Sequence, residues 1–358
     1  MERKNYIDNI RWMTVLIVIL YHVIYIFNSV GVISNFDVQG IAELDAFLSF
    51  VYPWFMALLF VVAGISARYS LQKRSSKEFA IDRVKRMLIP SIAGMFLYGW
   101  ILGLITNHYT DMFAGNGDAI PGILKYFIFC MCGIGPLWFA RELFLASMVL
   151  LLVRKIDKND KLSELGQKAN LPVLLLMVIP FWGSSIILNM PLIEVYRHGF
   201  YIFSFLLGYY IFSHEEVIEH IRKIKLPLLI LACVCGVAYT IYYFGENYTT
   251  KEVLRNFFTN GYAWLMILAI LACAKDWLNF TNPFSQYMTK ANFGFYVLHY
   301  PVLAVIAFIG QLYLDVPMIW HYVINLVLVA ILLPVVYEIL RRIPVLRFLV
   351  LGVTKKQK

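Results

Sequence analysis

Two residues on the first apolar segment have side chains suited to chemistry at a useful spacing. Arg11 lies near its start and His22 follows eleven positions later. At 3.6 residues per turn this is about three turns plus roughly 20°, so a helix presents both on one face, about 16 Å apart along its axis. A guanidinium grips phosphate through a two-pronged fork. A neutral imidazole is a general base. Together they suit an extended ligand with an anionic head and a reactive far end. A plainer alternative has Arg11 reaching lipid phosphate and pairing with Asp8, while His22 bonds to a neighbouring helix. Residue types and spacing leave both open.

Other candidates lie further along. Arg83 and Arg86, just before Pro90, share a face if that stretch is α-helical, which makes them a second candidate phosphate-binding pair, the alternative being ordinary positive-inside charge in a loop rich in basic residues. Arg141 and Glu142 sit inside an apolar run that begins after Gly135-Pro136, where a proline starts a helix well. Ionisable groups at membrane depth count as functional hypotheses. Trp138 reads as a packing or interfacial residue, the alternative being that it lines an acceptor path. His299 lies about 10 Å into its helix by rise per residue, which lets it reach the His22 region. His108, His198, His214, His220 and His321 fall near run ends and require no special account. Cys130 and Cys132 lack a second ligand pair at zinc spacing, so no metal is expected.

The elements that must position these residues are long apolar helices. Of 358 residues, 61% are hydrophobic and 15% charged, against roughly 45–50% and about 25% in soluble domains. Apolar runs fall near 10–30, 48–67, 87–106, 136–153, 171–189, 198–213, 226–244, 257–274, 292–313 and 318–340. A span needs about 20 such residues. The reading is an all-α polytopic membrane protein of about ten transmembrane helices. The stretch from Pro121 to Gly133 is too short to cross. With the N-terminus inside and ten alternating spans, all of the 31 basic residues except Lys125, Arg141, Arg197, Lys251 and Arg255 fall on the cytoplasmic side, as the positive-inside bias requires. Both termini are then cytoplasmic. Residues 1–345 form a single transmembrane domain and 346–358 a short basic tail. The net charge of +9 suits anionic membrane lipids, and nothing resembles a nucleic-acid-reading module.

Four blocks in order resemble the membrane-bound acyltransferase-3 family. Tyr6-Ile-Asp-Asn-Ile-Arg11 with His22 matches its Arg, ten residues, His signature. Arg83, Arg86 and Pro90 match its Arg-x-x-Arg motif and following proline. Leu137-Trp-Phe-Ala-Arg-Glu142 and Phe293-Gly-Phe-Tyr-Val-Leu-His299-Tyr-Pro301 match its middle and late blocks. The resemblance implies a ten-helix O-acyltransferase of the bacterial plasma membrane. It would move an acyl group, acetyl or succinyl, from cytoplasmic acyl-CoA to a hydroxyl of a cell-envelope glycan. His22 would be the base, with the acyl-carrier role as the alternative; beside the resemblance, Glu142 is read as a catalytic or acceptor-orienting candidate, or else as an ion-pair partner of Arg141 or of another helix. Arg11, Arg83 and Arg86 would hold the CoA phosphates, with Trp138 and His299 lining the substrate path. One large branch of the family has Trp-Ser-Leu-x-x-Glu in the middle block and an appended hydrolase-like domain, so acceptor assignments do not transfer from it. The opening is similar to the branch that includes glucan-modifying succinyl transferases. The rival class is a transporter or flippase of a lipid-linked glycan. Its mark would be paired Gly or Pro breaks near the midplane, which the chain lacks.

Overall fold

The computed structural model describes residues 4–115, 117–133, 135–192 and 194–353. Arg3 and the tail lysines Lys355, Lys356 and Lys358 lie outside them. In chain order the helices are α1 (Asn5–Tyr25), α2 (Asp45–Val51), α3 (Phe55–Leu71), α4 (Ser76–Arg83), α5 (Ile89–Gly94), α6 (Trp100–Thr110), α7 (Gly122–Cys132), α8 (Trp138–Ile156), α9 (Lys161–Gln167) and α10 (Leu171–Leu176). They continue as α11 (Val178–Ser184), α12 (His198–Tyr210), α13 (Glu215–Arg222), α14 (Lys225–Tyr242), α15 (Lys251–Arg255), α16 (Phe257–Trp277), α17 (Pro283–Tyr313), α18 (Met318–Leu340) and α19 (Pro344–Leu351). A short antiparallel hairpin, β1 (Asn189–Leu192) with β2 (Glu194–Arg197), pairs Asn189 with Arg197 and precedes α12.

Each of the ten apolar runs is carried mainly on helix, although 10–30 outlasts α1, 48–67 is broken at 52–54 and 171–189 ends in a turn and the first residue of β1. Among the described residues, seven helical stretches are long and apolar enough to cross a bilayer, or eight if the pair bent by 111° between 161–167 and 171–184 counts as one. Ten is not reached by length and composition, for two physical reasons. Helix α8 carries Arg141, Glu142, Arg154 and Lys155, and α12 has only 13 residues. The bend follows from Asn170, whose side chain accepts from the Val173 amide and starts a new helix. Helix α7, with 11 residues, matches the short stretch expected after Pro121.

The chain divides into two compact units. One comprises Met1–Thr14, Ser49–Arg83 and Glu142–Lys290; the other comprises Val15–Leu48, Val84–Arg141 and Ala291–Lys358. In the first, α3 and α12 cross at very short range. A Cβ on Gly64 would lie 2.0 Å from the Phe205 carbonyl oxygen, and one on Gly208 would lie 2.0 Å from that of Val61. Small residues admit such an approach, and backbone packing replaces the hydrophobic drive that lipid cannot supply. Aromatic donors add polar joints: Trp264 Nε1 donates to Leu174 O at 2.9 Å, and Trp54 Nε1 to the Tyr262 hydroxyl at 3.1 Å. Helix α13 is tied down by Glu215, which pairs with Lys4 and Lys275.

In the second unit, π-helical turns at Val84–Leu88 and Met95–Gly99 flank α5. Wide turns of this kind are a usual source of kinks, and Pro90 lies just beyond the first. Pro301 sits inside α17 and donates no hydrogen bond to the carbonyl four residues back. That carbonyl, Val297 O, accepts from the Tyr98 hydroxyl at 3.2 Å. Helix α19 packs on α5, so the tail expected from 346 begins as helix; its residues 354–358 lie outside the described residues.

Candidate active site

Helix α1 runs unbroken through Arg11 and His22, so the single-face geometry inferred from their spacing holds. Arg11 spreads its fork: Nη1 donates to Asp8 Oδ1 at 3.2 Å and Nη2 to Ser66 Oγ at 2.5 Å. Ser66 in turn donates to Val62 O at 2.9 Å. The pairing with Asp8 that the plainer reading expected is therefore present, and it pre-sets the guanidinium plane.

His22 meets His299. The Nδ1 of His22 lies 2.8 Å from Val18 O, one turn back, and 3.2 Å from His299 Nε2. The Nδ1 of His299 lies 2.6 Å from Tyr296 O and 3.2 Å from Phe295 O. These contacts assign the tautomers, because a carbonyl only accepts. His299 carries its proton on Nδ1 and offers a lone pair at Nε2. His22 carries its proton on Nδ1, shared between Val18 O and that lone pair. The Nε2 of neutral His22 is then the basic nitrogen. His299 is fully buried and His22 half-buried. Tyr21, Tyr25 and Tyr300 surround the His22 ring at centroid distances of 5.1, 5.5 and 5.2 Å. Tyr300 is itself held by Asn35 at 2.8 Å, which in turn donates to Thr106 at 2.7 Å. This imidazole pair inside an aromatic wall can take up a proton at one defined atom and spread the resulting charge.

The other predicted residues are placed as follows. Arg83 closes α4 with its guanidinium carbon 4.5 Å from the Phe79 ring centroid. Arg86 is exposed in the π-helical turn, so the α-helical face inferred for the two arginines does not apply to them. The boundary between the units falls between them. Trp138 opens α8 and meets Phe139 edge-on, with centroids 6.1 Å apart. Glu142, one turn on, is buried, and its Oε2 accepts from His198 Nδ1 at 2.6 Å. His198 is the residue that sequence reasoning passed over. Its signal was the neighbourhood Arg197-His198-Gly199, a cation and a glycine beside an imidazole at the head of an apolar run.

An acyltransferase domain model matches residues 4–339. Glucans biosynthesis protein C of Escherichia coli strain SMS-3-5 is 22% identical over an alignment covering 98% of this chain and 95% of that protein. The same protein from strain K12 is 21% identical at the same coverage. No solved structure matches the chain significantly.

Proposed function

This chain belongs to the acyltransferase-3 family and is a membrane acyltransferase, and from that premise we propose that it acylates a glucan hydroxyl with His22 as general base. The donor in this reading is cytoplasmic acyl-CoA carrying an acetyl or succinyl group. The acceptor class follows the printed name of the relatives, glucans biosynthesis protein C, and the setting is the bacterial plasma membrane. The observation that carries the proposal is the imidazole pair: His299 Nε2 at 3.2 Å from His22 Nδ1 leaves the lone pair of His22 at Nε2.

The chemistry balances with these groups. The acceptor hydroxyl oxygen attacks the thioester carbonyl, and its proton passes to His22 Nε2. The tetrahedral intermediate collapses with cleavage of the carbon–sulfur bond. The departing thiolate takes the proton back from His22 and leaves as free CoA thiol. While His22 is protonated, its Nδ1–H bond to His299 becomes charge-assisted and stronger, a gain realised during reaction rather than before it. Arg11, Arg83 and Arg86 bind the phosphates of the donor and Trp138 lines the path of the acceptor.

Purified protein supplied with labelled acyl-CoA and linear glucose oligomers should release thiol and form an acylated oligomer. Replacing His22 with Asn should lower turnover by roughly 10²–10⁴-fold at an unchanged yield of folded protein. A His22→Asn protein that transfers at the parental rate excludes the base. Movement of the oligomer across vesicles without thiol release would mark a carrier instead.

A further inference from the structure

Helix α9 lies across the segment that follows it, turned through 111° from the axis of 171–184, and side chains hold it there. Ser163 Oγ lies 2.9 Å from His214 Nε2, Gln167 donates to Glu216 Oε1 at 3.1 Å, and the Ala169 carbonyl oxygen lies 3.1 Å from His220 Nδ1. Gly166 brings α9 against the end of α12, since a Cβ there would lie 2.0 Å from Tyr210 O. Inside this corner is a cavity of about 440 Å³. Its walls are apolar: Leu162 and Leu165 of α9, Val173 of α10 with Met177 after it, and Phe203 and Leu207 of α12. Leu162, Leu165 and Val173 are exposed, so the cavity is open on their side.

The charge sits at the bend. Lys168 caps the C-terminus of α9, lines the cavity, is exposed and has no ion-pair partner among the described residues. It closes a run of five basic residues with Arg154, Lys155, Lys158 and Lys161, which places the corner at the cytoplasmic surface by the positive-inside bias. Two acids of the run are engaged. Asp160 takes both prongs of Arg68 at 2.5 and 3.0 Å, and Asp157 accepts from the Lys161 and Leu162 amides at 2.9 and 3.0 Å. The third, Glu164, is exposed. The hydroxyl of Tyr210, another residue of the wall, is buried with no hydrogen-bond partner among the described residues, and a bound molecule's ester oxygen is one way such a group is completed. A short surface helix with exposed leucines, an apolar hollow and a lysine at the turn together match an amphiphile with a hydrocarbon tail and an anionic head. We propose that the corner of α9 and α10 binds an anionic phospholipid of the cytoplasmic leaflet, with one acyl chain in the cavity and the phosphate on Lys168. The site uses no residue of the proposed acyl transfer.

The test uses full-length protein in detergent, offered equal amounts of dioleoyl phosphatidylglycerol and dioleoyl phosphatidylcholine, with retained lipid counted by native mass spectrometry. The chains are identical, so a preference comes from the head. The parental protein should prefer phosphatidylglycerol, and Lys168→Gln should lower that preference about fivefold, the effect of one lysine near an anionic head, while still retaining lipid through its chain. Lys155→Gln, outside the cavity wall, should keep the parental preference. Val173→Trp, which fills the cavity from its open side, should lose both lipids. Equal retention of the two lipids by the parental protein overturns the proposal, as does parental preference in Lys168→Gln, an equal loss in Lys155→Gln, or parental retention in Val173→Trp. If Val173→Trp does not fold, the two lysine variants, both at exposed positions, decide alone. Light scattering on the same samples covers another occupant: a parental dimer that Val173→Trp turns into a monomer makes the cavity a subunit contact and overturns the lipid site. No readout depends on turnover, so the acyl-transfer reading stands or falls separately.

Discussion

Replacing His299 with Phe removes the Nε2 lone pair, together with the Nδ1–H given to the Tyr296 and Phe295 carbonyls of its own helix, while keeping a planar ring in a fully buried position. In the parental protein that lone pair sits 3.2 Å from His22 Nδ1, at the long end of hydrogen-bonding range, and shares the proton with Val18 O at 2.8 Å. Hydrogen bonds to charged groups contribute about 1.5–3 kcal/mol, and the length and sharing of this one place it near the lower value. In the proposed mechanism the bond becomes charge-assisted only while His22 holds the acceptor's proton, so the loss falls on the transition state. About 1.5 kcal/mol is roughly a tenfold drop in kcat, with KM for donor and acceptor unchanged. Val18 O still fixes the His22 tautomer, so activity should be reduced rather than abolished. His299→Gln, whose amide oxygen can accept from His22 Nδ1, should recover most of the loss. Steady-state thiol release with a saturating glucose oligomer measures all three proteins. A His299→Phe enzyme with parental kcat, or a Gln variant no better than Phe, would refute the relay and leave His299 as packing.

Three further outcomes follow from particular contacts. Arg11→Lys keeps the charge but cannot bridge Asp8 and Ser66 with a planar fork; acyl-CoA binding should weaken by about tenfold or more with no loss of folded protein, as read by calorimetry and thermal unfolding. Gly208→Ala should destabilise by about 1–3 kcal/mol, because its methyl would meet the Val61 carbonyl at 2.0 Å; a Tm equal to the parent would show that the α3–α12 crossing relaxes freely. Burial pushes the Glu215 carboxyl up, but Lys275 and Lys4 outweigh it and hold the group below its ordinary value of 4.5. A depressed folded-state value means its contribution is complete above about pH 4.5 and disappears as pH falls through the lower value. Tm measured from pH 7 down to 3 should therefore fall less steeply in Glu215→Gln than in the parent.

The long helices were legible because the bilayer imposes one strong rule, about 20 apolar residues per crossing, and α14, α16 and α18 obey it simply. The Arg11–His22 geometry was legible for the same reason: it depends on one unbroken helix. Features that depend on departures from the α-helical repeat were not. The π-helical turn at Val84–Leu88 has no periodic signature and altered the relation between Arg83 and Arg86. The 111° bend after Gln167 comes from a single capping side chain. His198 was hidden for a different reason. What singles it out is a carboxylate partner 56 positions away and the tight packing of its two neighbours, neither of which spacing can express.

The hydroxyl of Tyr98 on the Val297 carbonyl gives the second π-helical turn a hold on the imidazole pair. Pro301 has deprived the turn carrying His299 of one of its own rungs, and the substitute comes from a side chain on another segment. The height of His299 along α17 is thus set partly by where the 95–99 turn lies. A change confined to that turn, such as Tyr98→Phe, would loosen the ring behind His22 without touching either histidine, and, with His22 as the proposed base, a residue remote in sequence becomes a trimming screw for the rate.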